Sequence, residues 1–220
     1  MALNKLKFNS LNVTPTAGKT VGFNSSADGL EATLSGGSMA FIKKLTASSS
    51  STLSFVDGSS DVVLDSTYKE YVFVINNAHP ATDRVGLTFQ FSTDTGSNYN
   101  TTITSTNFRS YHTEGGSSPT LAYNGGEDLA QSTNFMHLTG NDIGNANDEN
   151  LCATLHLFNP SSTTFVKHFI GVSQCQGGNE ISIQSHIAGY SNTTSAIDAV
   201  QFKMSSGNID AGTITLYGIN

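Results

Sequence analysis

The sequence predicts an all-β chain, an antiparallel β-sandwich of jelly-roll-like form preceded by an N-terminal arm. Three observations carry that expectation. Short apolar runs recur from about residue 39 onward, spaced by turn residues in the manner of sandwich strands. No segment shows a convincing helical period; EDLAQSTNF (127–135 of GEDLAQSTNF) holds one helical turn at most. The composition pairs 13 Phe and 7 Tyr with many Ser, Thr, Asn and Gly, which suits strands joined by tight turns.

Residues 1–38 read as the arm or as a peripheral strand pair, because LNVTPTAGKTVGFNSSADGLEATLSGG has weak periodicity and many small residues. Residues 39–220 read as the sandwich. SMAFIKKLT follows Gly36-Gly37 as a short strand, and TLSFV alternates before the turn DGSS. In STYKEYVFVINNAHPATD, Tyr71, Phe73 and Ile75 share one face, and Val72 and Val74 the other. Both faces are apolar, so this strand is expected in the centre of a two-layer core, with Pro80 as its stop.

RVGLTFQFS alternates: Val85, Leu87, Phe89 and Phe91 are expected inward, Thr88 and Gln90 outward. YNTTITS, FMHL, LCATLHLFN, TTFVKHFIGV, EISIQSHIA, AIDAVQFKM and TITLYGI complete the set. Gly207-Asn208 supplies the last turn, and Gly212 is expected to begin a final strand carrying Ile214, Leu216 and Ile219.

With 10 basic and 17 acidic residues, the chain carries a formal charge of −7. That disfavours nucleic-acid binding, which needs a basic surface. The first 27 residues are the exception, holding Lys5, Lys7 and Lys19 and no acid, so the arm is a candidate contact for an acidic partner. No segment approaches the roughly 18 apolar residues of a membrane span, and the N-terminus lacks the apolar run of a secretory signal. Sequons at Asn12, Asn24, Asn100 and Asn192 read as Asn- and Thr-rich loops.

The search for chemistry is largely negative. Neither a G-x-S-x-G elbow nor a phosphate loop occurs, and the chain is not expected to be an enzyme. His137, His156, His168 and His186 lie within strands, and a hairpin would bring His156 and His168 close enough for a metal. Half-buried polar strand residues are the favoured reading, so neither metal nor cofactor is expected. Asp142, Asp148 and Glu149 lack the spacing of a calcium loop. Asp57, Asp94, Glu127 and Asp128 sit in turn contexts, where acids bond their own backbone. Cys152 and Cys175 read as small buried hydrophobes, with a disulfide between neighbouring strands as the alternative. The absence of Trp weakens a lectin reading.

The phrases TASSSSTLSFVDG, STYKEYVFVINNAHPATD, FQFSTDTGSNYN, DLAQSTNF, TLHLFNPSSTTFVKHF and AGYSNTTSAIDAVQFKMSSGNIDAGTITLYGI resemble a family of virion proteins of tailed phages, especially marine ones. The resemblance spans about residues 46–219; residues 1–45 match less well. It implies a jelly-roll-like structural protein located in the virion, without catalytic residues. The implied partners are the major capsid protein or other virion proteins, together with copies of the chain itself, a trimer being favoured. Capsid decoration, with the lysine-bearing arm clasping the shell, is the leading expectation. The alternative is a tail-fibre or receptor-binding head touching the host through loops 113–126 and 141–150. A carbohydrate-active enzyme is the most distant reading.

Overall fold

A computed structural model describes residues 19–23, 26, 28–34, 38–140 and 142–219. The described residues hold fourteen strands and no helix. In chain order they are β1 Lys19–Phe23, β2 Leu30–Leu34, β3 Met39–Thr46, β4 Leu53–Val56, β5 Glu70–Pro80, β6 Leu87–Ser92 and β7 Ile103–Thr113. Then come β8 Thr120–Tyr123, β9 Met136–His137, β10 Leu151–Phe158, β11 Lys167–Gly177, β12 Ile181–Ser191, β13 Ala199–Met204 and β14 Ile209–Ile219.

The chain divides into two compact units, Met1–Ala40 and Phe41–Asn220. In the first, β1 and β2 form an antiparallel pair, Lys19 opposite Leu34 and Phe23 opposite Leu30.

The second unit is a sandwich of two antiparallel sheets, ordered β3-β14-β5-β10-β11-β12-β7-β8 and β4-β13-β6-β9. Eight of these strands suffice to define it: β3-β14-β5-β10 on one side and β4-β13-β6-β9 on the other. Each sheet interleaves early strands with late ones, which is the jelly-roll order. Two hairpins are added to that frame. Strands β7–β8 enter between β6 and β9, and β11–β12 between β10 and β13, and both widen the same sheet beyond β10.

The two layers meet on phenylalanine. Phe55 lies 5.3 Å from Phe73 across the interior, Phe202 lies 5.3 Å from Phe73, and Phe89 lies 5.3 Å from Phe169. Most of these pairs are edge-on, the arrangement that ring quadrupoles favour. Strand β5 is central, as its two-faced apolar pattern predicts: Tyr71, Phe73 and Ile75 are buried against the second sheet, and Val72 is buried on the opposite face.

Two local expectations need correcting, the outward placement of Thr88 and Gln90 and the start of the final strand. Thr88 and Gln90 do not face solvent; both are buried, as is every residue of β6. Segment 129–135 lies over that side of β6, and Gln90 Nε2 donates to the carbonyls of Thr101, Thr133 and Asn134 at 3.1, 3.1 and 2.8 Å. That same segment, for which the sequence allows at most one helical turn, forms none and is held by Leu129 and Ser132 bonding to β7. Pro80 is the last residue of β5, the stop expected of it. The final strand begins at Ile209 rather than Gly212, which occupies a bulge at φ +111° where a Cβ would come within 2.5 Å of the Asn77 carbonyl.

Candidate functional site

The outer face of the eight-stranded sheet is built by simple alternation. Along β11 (KHFIGVSQCQG), Lys167, Phe169, Gly171, Ser173 and Cys175 are buried, while His168, Ile170, Val172, Gln174 and Gln176 point outward. Register carries the outward set across the sheet. Thr154 of β10 stands opposite Val172, Val172 opposite His186, His186 opposite Phe108, and Phe108 opposite Tyr123. The next row runs His156, Ile170, Ala188, Thr106. A third runs Cys152, Gln174, Gln184, Ser110, Leu121.

From β10 to β8, none of these outward positions is Asp, Glu, Lys or Arg. The face is instead aromatic and aliphatic, with Gln, Thr, Ser and His between. Phe108 is 45% exposed, Ile170 50%, Tyr123 59% and Leu121 75%. The rings of Phe108 and His186 are stacked, 5.2 Å apart and 7° from parallel, and His168 meets Tyr190 edge-on at 5.9 Å. Contiguous exposed apolar area of this kind marks interaction surfaces.

Charge gathers at the margins. On neighbouring β5, Glu70 accepts a hydrogen bond from His156 Nδ1 at 2.6 Å. At the strand ends, Glu180 is held above the usual carboxylate range, chiefly by its hydrogen bond with Glu114 and then by repulsion from Glu114 and Asp148. An uncharged centre with a charged rim is the anatomy of a protein interface.

The other sequence candidates fall elsewhere. Lys5 and Lys7 lie outside the described residues, as do Asn12 and Asn24; Lys19 opens β1. His156 and His168 share the outer face but are not opposite one another: His156 faces Ile170 and His168 faces Tyr190. Among the described residues no group of three or more His, Cys, Asp or Glu has the geometry to hold a metal. Residues 142–150 of the loop are tied down rather than open. Arg109 donates to Asp142, Ile143 bridges to Val85 and Gly177, and Glu149 Oε2 accepts from the Ala146 amide at 2.6 Å.

Cys152 is exposed on the outer face, contrary to the expectation of burial, whereas Cys175 is buried on the inner one. Both are free thiols; adjacent strands place them on opposite sides of the sheet, beyond bridging geometry. Desolvation pushes the Cys175 thiol up to about 11.

Two of the turn acids behave as such: Asp57 caps the Leu64 amide and Asp94 the Asn98 amide, each at 2.8 Å. Glu127 and Asp128 do not. Glu127 lies 2.9 Å from His137 Nδ1, and Asp128 accepts from the Tyr123 hydroxyl. Nothing in the local pattern signals either pairing, because the partners come from other strands.

Comparison with protein-family models, with curated proteins and with solved structures found no match.

Proposed function

We propose that this chain is a structural protein of a phage particle, a capsid decoration protein that assembles with copies of itself through the outer face of the eight-stranded sheet. The uncharged, aromatic face from β10 to β8 carries this reading. A chain of charge −7 repels its own copies at most surfaces. This face carries no formal charge to repel, and so it is the surface on which a second copy fits best. Strand rise and spacing give it a planar footprint of roughly 700 Å², close to the roughly 800 Å² per partner of a standard interface. The occupant is therefore another copy of the chain, a three-fold assembly being the expected form. The lysine-bearing arm, with Lys5, Lys7 and Lys19, supplies the contact to the major capsid protein.

Light scattering on the eluting protein tests the assembly. The native chain is expected as a trimer, and Phe108→Glu with Ile170→Glu as a folded monomer, with association weakened at least about thirtyfold. A native chain that is monomeric at working concentration would sink the docking role of this face. Antibody labelling of intact particles tests the location: label over the shell supports decoration, and label confined to the tail tip ends it.

A further inference from the structure

A second feature lies away from the outer face. Thr88 of β6, His137 of β9, segment 126–135 and the end of β13 enclose a cleft of about 450 Å³. Its wall is built around His137. Nδ1 of that ring faces the Glu127 carboxylate at 2.9 Å and the Thr139 carbonyl at 3.1 Å. Both neighbours accept hydrogen bonds, so Nδ1 carries the proton. The close fit needs Gly86, where a Cβ would stand 2.7 Å from that nitrogen. Glu127 and His137 are only 14% and 18% exposed, yet both line the cleft. Asp128 lines it too, held by the Tyr123 hydroxyl, and Lys203 lines it with its ammonium 4.1 Å from the centre of the Phe135 ring.

The ligand follows by charge. Two carboxylates oppose an anion. The Lys203 ammonium and the His137 N–H oppose a cation. A lining this polar does not reward an apolar guest. What remains is a neutral molecule with many hydroxyls, each able to donate and accept. We propose that this cleft binds a neutral saccharide unit, whose hydroxyls donate to Glu127 and Asp128 and accept from Lys203. Phe135 lines the cleft beneath the Lys203 ammonium. The proposal does not rest on the particle role, and the cleft meets the docking face only where the Tyr123 hydroxyl holds Asp128.

The test is an amide-shift titration of the full chain with methyl glucoside, methyl galactoside, methyl mannoside and N-acetylglucosamine, with sodium glucuronate as the anionic comparison. At least one neutral probe is expected to bind with Kd on the order of 1 mM, moving amides in 126–137 and at Lys203. Asp128→Asn and Lys203→Met each keep the local packing and are expected to weaken binding about tenfold, while Ile170→Glu leaves it unchanged. Absence of shifts from every neutral probe well above that concentration overturns the proposal. So does binding that both cleft variants leave intact, or glucuronate binding more tightly than every neutral sugar.

Discussion

The jelly-roll frame and the two hairpins added to it share one sheet but differ in how much polar contact holds them to the rest of the molecule. Under β5 and β10 the inner face is Tyr71, Phe73, Ile75, Leu151, Leu155 and Leu157, all buried, with Phe73 packed on Phe55 and Phe202 of the second sheet. Under β7 and β12 the inner face mixes Ile103, Ile183 and Ile187 with Ser105, Asn107, Arg109 and Ser185, and it is covered by residues 124–140 and 142–144. There polar contacts run among the apolar ones: Ser105 Oγ accepts from the Leu129 amide at 2.9 Å, Ser173 Oγ donates to the Leu138 carbonyl at 2.8 Å, and Arg109 pairs with Asp142. Asn107 and Ser185 are buried with no side-chain hydrogen bond among the described residues. Close packing stabilises the frame through area and dispersion. The polar seam adds little net stability per bond, because each bond replaces one to water. The difference teaches that the frame carries the fold, whereas the added hairpins contribute surface: the docking face and one wall of the cleft both depend on them or on the segments they anchor.

The sharpest way to break that comparison is inside the frame. Phe73→Ala is expected to cost about 3–5 kcal/mol in a urea denaturation series, because Phe73 is fully buried between Phe55 and Phe202. A loss below about 1 kcal/mol would mean that the frame is not the main source of stability. A smaller effect is expected where a polar group is fully used. Gln90→Leu strips donors from the Thr101, Thr133 and Asn134 carbonyls and is expected to cost about 2–3 kcal/mol, read by the same denaturation. The smallest belongs to the seam. Ser185→Ala removes a buried hydroxyl that no described group satisfies, and the denaturation midpoint should stay within about 0.5 kcal/mol of the native value. A Ser185→Ala loss as large as that of Gln90→Leu would show that the seam is not the weaker half.

Much of this was legible in the chain itself. Alternation in YKEYVFVIN and RVGLTFQFS identifies Tyr71, Phe73, Leu87 and Phe89 as inward before any partner is known. The same alternation in KHFIGVSQCQ already separates His168, Ile170 and Val172 from the buried set. Gln90 was not legible, because its cover arrives from residues 129–135, and period-two reasoning sees only a strand's own two faces. Nor was the contact of Glu127 with His137, where a turn reading assigns the acid to local backbone bonds.

By itself the sequence determined that the chain is β throughout its described part, which side of each long strand is apolar, and that the outward residues of β11 and β12 lack formal charge. These are local properties, written in side-chain chemistry at a spacing of two residues. Tertiary structure alone decided that early and late strands interleave in jelly-roll order, that five strands align their uncharged rows into one face, and that His137, Glu127 and Lys203 meet around one cleft. The reason is physical: alternation states which way a side chain points, but its neighbour is chosen by register and closure between strands far apart in the chain.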